Sequence, residues 1–136
     1  VGYDNSWVQV NGRQVQSVPG GTHWGAGVSI DSIDQARIAQ MMLRDGRVGN
    51  RQVVSADWIA RMRTPCPLAS FYGYLVWLNV GRRVFPALPE SSWFAIGAGS
   101  SINWIDPELD AVVVLRWIDA GAAGEVLARL RAALID

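Results

Sequence analysis

The sequence predicts an α+β fold, an antiparallel sheet with packed helices, and three observations support it. Apolar and polar residues alternate on either side of Asn11-Gly12 near the start. After residue 72, segments rich in strand formers follow one another through connections too short for parallel crossovers. Segments with helical spacing lie before and after those strands.

Trp7-Val8-Gln9-Val10 and the segment 13–18 flank Asn11-Gly12. Asn-Gly supplies the two positive φ angles of a two-residue hairpin turn. Pro19-Gly20-Gly21 ends the hairpin, and a loop runs through Thr22-His23-Trp24-Gly25-Ala26-Gly27. Asp31 is placed to cap a helix whose first turn holds Asp34, and Gly46 stops that helix. Ser55 caps a shorter helix with Trp58, Ile59 and Met62 on one face, ended by Pro65. Residues 72–79 read as a strand turned by Gly81-Arg82-Arg83. Three further strands are expected at 92–98, 101–105 and 111–117, with Asp106-Pro107-Glu108 turning between the last two. A closing helix at 125–134 lines up Val126, Leu127, Leu130, Ala133 and Leu134. No repeat or long linker interrupts the chain, so residues 1–136 read as a single segment.

Half of the 136 residues are hydrophobic and 18% are charged, enough apolar material for one core. Twelve basic residues balance twelve acidic ones, so no global field draws the chain to nucleic acid or a membrane surface. One cysteine excludes an internal disulfide, and one histidine excludes a two-histidine metal site. No metal and no cofactor are expected. All twelve basic residues are arginine, so Schiff-base, P-loop and general-base lysines are excluded. The apolar runs fall short of the ~20 residues a bilayer needs, and without a charged n-region and apolar h-region the first residues are not expected to be a signal peptide. A soluble protein is expected, with cytoplasm and periplasm both open. The start at Val1 reads as processing or as the C-terminal part of a longer protein.

His23 beside Trp24 is a candidate base or substrate contact, or else a structural histidine. Cys66 between Pro65 and Pro67 has no glycine-rich or helix-start frame, and it reads as a loop anchor rather than a nucleophile. Capping accounts for Asp31 and Asp34. Most of the seven tryptophans should pack in the core, but Trp24 and Trp93 flank glycine-rich segments and can line an apolar cleft. Ala95-Ile96-Gly97-Ala98-Gly99-Ser100-Ser101 is the most informative stretch. Its small residues leave a strand bare for a ligand against backbone N–H groups, donors of the kind that stabilise an oxyanion. A β-bulge or close packing would use the same residues, and both readings stay open.

Three stretches together resemble the serine β-lactamase-like hydrolases, which include class C β-lactamases, penicillin-binding D-alanyl-D-alanine peptidases, family VIII esterases and 6-aminohexanoate-dimer hydrolases. The first is Gly25-Ala26-Gly27-Val28-Ser29 with Asp34-Gln35-Ala36-Arg37. The second runs from Met42 through Arg44-Asp45-Gly46 and Val53-Val54-Ser55 to Trp58-Ile59. The third runs from Trp93 through Gly97, Gly99 and Trp104-Ile105-Asp106-Pro107-Glu108 to Leu115. The resemblance spans the whole chain but only the C-terminal two-fifths or so of a typical member. It implies the C-terminal part of the β-lactamase/transpeptidase-like fold. The family's third motif falls on Ala95-Ile96-Gly97, where Ala95 departs from the usual lysine or histidine. The resemblance makes the Ala98 backbone N–H one oxyanion donor beside Gly97. Trp24 and Ala26 fall on the loop lining the acyl side, with Ala95, Ile96, Trp93 and His23 as the other candidate substrate contacts.

The family's nucleophile belongs to Ser-x-x-Lys, and this chain has no lysine. Tyr3, Tyr72 and Tyr74 do not match the context of the family's second-motif tyrosine. The expectation is therefore the cleft wall of a serine hydrolase for a small ester or amide, inactive by itself. The missing N-terminal segment, or self-association through the sheet edge near 111–117, is the expected partner. The alternative is a non-catalytic ligand-binding or assembly module.

Overall fold

The computed structural model describes residues 2–3, 7–10, 12–16 and 28–135. Their contacts divide the chain into two units, Val1–Asp34 and Gln35–Asp136. In the first, β1 (Gly2–Tyr3) is followed by β2 (Trp7–Val10) and β3 (Arg13–Gln16), an antiparallel hairpin with Val10 opposite Arg13. This is the register a two-residue turn demands. β4 (Val28–Ser29) returns antiparallel to β1.

Helix α1 (Ser32–Leu43) begins where expected, with Asp31 Oδ1 accepting the Asp34 N–H at 2.8 Å. The helix ends at Leu43, and the turn after it closes at Gly46, where φ is +83° and an added Cβ would stand 2.0 Å from the Val54 carbonyl oxygen. Only glycine fits that turn. β5 (Arg47–Val48) and β6 (Arg51–Gln52) then form a small hairpin that the sequence reading did not include. In α2 (Ala56–Met62), Ser55 Oγ accepts the Trp58 N–H at 3.2 Å, the expected cap. Ile59 is buried and Met62 packs beside it, whereas Trp58 turns outward to Tyr74, ring centroids 5.7 Å apart.

The expected strand at 72–79 is corrected to β7 (Trp77–Leu78) alone. Gly73 N–H donates to Val76 O at 2.9 Å, and Tyr74 N–H reaches back to Met62 O at 3.1 Å. Leu75 sits at φ +59°. These bonds close a local loop that outweighs the strand preference of the aromatic residues. β8 (Trp93–Gly97), β9 (Ser101–Asp106) and β10 (Ala111–Leu115) complete a four-stranded antiparallel sheet ordered β10-β9-β8-β7. β10 stops two residues short of its expected end, because Trp117 takes φ +54°. Helix α3 (Ala123–Ile135) closes the chain.

Alternation along the strands gives the sheet two apolar faces. Trp93, Ile105 and Leu78 pack on one face with Ala39 of α1 and Ile59 of α2. Phe94, Ile102 and Trp104 pack on the other with Ala123 and Leu127 of α3. The second unit is thus an antiparallel sheet between two helical layers, an α+β arrangement. Among the described residues no strand pairs with the outer edge of β10, and no helix is long and apolar enough to cross a membrane.

Candidate functional site

The small-residue end of β8 is positioned by the ladder with β9, which sets Ala95 opposite Asn103 and Gly97 opposite Ser101. Trp93, Ala95 and Gly97 share the face that α1 and α2 cover near Trp93. Toward Gly97 the cover thins: Ala95 is half-buried and Gly97 exposed. A Cβ added at Gly97 would meet no atom of the described residues within 4 Å, so among them the space beside this backbone is open. The Gly97–Ser101 pair is the last of the ladder, and Ala98 starts a 3₁₀ turn through Ser100 just beyond it. Gly99 makes that turn possible, with φ +69° and the Trp117 ring where a Cβ would otherwise project.

The structure separates the sequence-predicted residues. Ala95 and Gly97 face the open side, with Ala98 following them in the turn. Ile96 points to the opposite face and packs in the α3 cluster, so only its backbone borders the open side. Trp93 is a core residue at 1% exposure, not part of an open cleft surface. Its ring lies 5.6 Å below the Arg63 guanidinium, a cation–π contact that ties α2's end to the sheet. His23, Trp24 and Ala26 lie outside the described residues. Cys66 is half-buried in a loop where its N–H donates to Tyr72 O at 2.8 Å, beside a cavity of ≈400 Å³ lined by Pro65, Pro67 and Tyr74.

Asn103 was missed by sequence reasoning. It is 8% exposed, and its Oδ1 has no hydrogen-bond partner among the described residues. A buried acceptor without a donor is costly, and in this position it faces the same side as Ala95. The signal was available: in Ile102-Asn103-Trp104-Ile105, strand alternation puts the amide on the face of Ile105. Among the described residues, no group of histidine, cysteine, aspartate and glutamate is placed to hold a metal ion.

Chemically, the end of β8 presents extended backbone at Gly97 between the small residues Ala95 and Ala98. The fold and this edge define an α+β protein with a bare strand end as its candidate site. No family model matches the sequence, and no curated protein matches it either.

Proposed function

We propose that this chain is the C-terminal part of a serine β-lactamase-like hydrolase that cleaves an ester or amide through an acyl-enzyme. The observation that carries this is the end of β8, where extended Gly97, with no described atom beside its Cβ position, is followed at once by Ala98 beyond the ladder. The antiparallel sheet between helical layers, with α3 last, supports it further.

In that reaction a serine from another segment attacks the carbonyl carbon, and the carbonyl electron pair moves onto oxygen. The Ala98 N–H donates to that oxyanion. Collapse expels the alkoxide or amine, which takes up the proton the serine gave to its lysine and tyrosine partners. Water then adds to the acyl-enzyme, releasing the acid and restoring the serine hydroxyl. Ser-x-x-Lys does not occur in these 136 residues, so the proposal requires it elsewhere.

The test is to read the coding frame upstream of Val1 for Ser-x-x-Lys and to express the protein carrying both parts. Ala98→Pro removes the N–H, and Gly97 at φ −127° and ψ −179° accepts a following proline. Turnover of a p-nitrophenyl ester should fall by about 10²–10³, with Ala98→Gly retaining it. The 136-residue chain alone should hydrolyse nothing above buffer. A frame without Ser-x-x-Lys, an undiminished rate in Ala98→Pro, or turnover by the chain alone overturns the proposal. One observation favours a non-catalytic binding module instead: Asn103 Oδ1, without a partner among the described residues, can accept a ligand N–H without any chemistry.

A further inference from the structure

Arg37, Gln40, Met41 and Arg44 stand at i, i+3, i+4 and i+7, one stripe along α1 and the turn after it. β5 brings Arg47 and Val48 against that stripe, and with Gly49 they enclose a half-open groove of ≈570 Å³. Small-molecule sites usually occupy about 300–1,000 Å³. Met41 and Val48 give the groove apolar walls, while the guanidiniums of Arg44 and Arg47, with that of Arg37, which is engaged in an interaction of its own, give it positive charge; among the described residues no acidic one lines it. Arg51 stands opposite Val48 in the hairpin register.

Neutralisation is incomplete. Arg44 pairs with Asp110 at 2.7 Å, but both side chains are more than half exposed, so water screens the pair. Arg47 makes no side-chain hydrogen bond or ion pair among the described residues. Nearby cations on a short helix–hairpin corner repel one another, and a ligand anion relieves that repulsion. A guanidinium fork matches phosphate or carboxylate through two parallel hydrogen bonds.

We propose that this groove binds a small organic oxyanion, an apolar body carrying a phosphate or carboxylate group that the Arg47 and Arg44 guanidiniums hold. None of its residues belongs to the β8 edge, so it stands independently of the hydrolase proposal.

The experiment titrates phenyl phosphate and benzoate, separately and at constant low ionic strength, into the ¹⁵N-labelled chain. Saturable amide shifts confined to residues 37–49 are expected, and the tighter probe identifies phosphate or carboxylate as the natural group. Arg47→Gln should weaken binding about tenfold, the usual loss for a charge-assisted hydrogen bond. Asp110→Asn should tighten it severalfold by releasing Arg44. Arg129→Gln, which removes an exposed arginine paired with Glu125 on α3, should leave it unchanged. All these side chains are exposed, and circular dichroism verifies that each variant folds. Shifts scattered over the arginines, Arg47→Gln binding within twofold of wild type, or an equal loss in Arg129→Gln overturns the proposal.

Discussion

Asn79 has no solvent exposure, and its one side chain gathers the loop between β7 and β8. Its Nδ2 lies 3.0, 3.1 and 3.0 Å from the carbonyl oxygens of Phe85, Leu88 and Pro89. Its Oδ1 accepts the N–H groups of Val84 at 3.2 Å and Phe85 at 3.0 Å. Removing the amide strands backbone groups in the interior, at about 1–3 kcal/mol for each one left without a partner. Asn79→Ala should therefore lower unfolding stability by about 3 kcal/mol or more, read from a urea midpoint at constant slope. A loss below about 1 kcal/mol would mean that water replaces the amide. Asp106 works in the same manner at the C-terminal end of β9. Its Oδ1 accepts from the Glu108 and Leu109 N–H groups, and its Oδ2 accepts from Arg131 Nε at 3.0 Å. That buried carboxylate fixes the β9–β10 turn and docks α3 on it.

At the scale of elements, the turn between β8 and β9 shapes the candidate site, and Gly99 controls that turn. Alanine there meets two obstacles: a φ of +69°, and the Trp117 ring 2.3 Å from its Cβ. Trp117 is 75% exposed, so its ring can swing aside, but the backbone strain of about 1 kcal/mol stays. Gly99→Ala should cost about 1–2 kcal/mol in thermal or chemical unfolding, and less in a Trp117→Ala background. Equal costs in the two backgrounds would show that the ring does not press on the turn. The elements legible in the sequence were those set by local chemistry, such as the Asn11-Gly12 hairpin, the Asp31 and Ser55 caps and the Gly46 stop. Residues 72–79 were not, since Gly73 and Tyr74 spend their N–H groups on Val76 and on distant Met62. No local propensity encodes a bond across twelve residues. The bare end of β8 was legible as composition, yet which residues shared its face was settled only by the ladder. That ladder turns Ile96 away, buries Trp93 and brings Asn103 opposite Ala95.

For the molecule as a whole, the two edges of the sheet, β7 and β10, are the decisive feature. β7 is a two-residue strand, too short to template much pairing, but β10 offers five apolar residues, Ala111-Val112-Val113-Val114-Leu115. Natural edge strands are blunted by charge, proline or a bulge, and β10 carries no charge or proline between Asp110 and Arg116. Among the described residues its outer edge has no strand partner. In an antiparallel edge strand, alternate amides bond the neighbour while the others point outward. The dilute 136-residue chain should therefore show two-residue alternation in hydrogen exchange across 111–115. The outward amides should exchange faster by about two orders of magnitude or more. Raising the protein concentration should protect those same amides as edges of separate molecules pair, with size-exclusion chromatography reporting the association. Uniform protection at low micromolar concentration would mean that the edge is already occupied within one chain. The hydrolase reading would then lose the open strand through which another segment of the fold is to join.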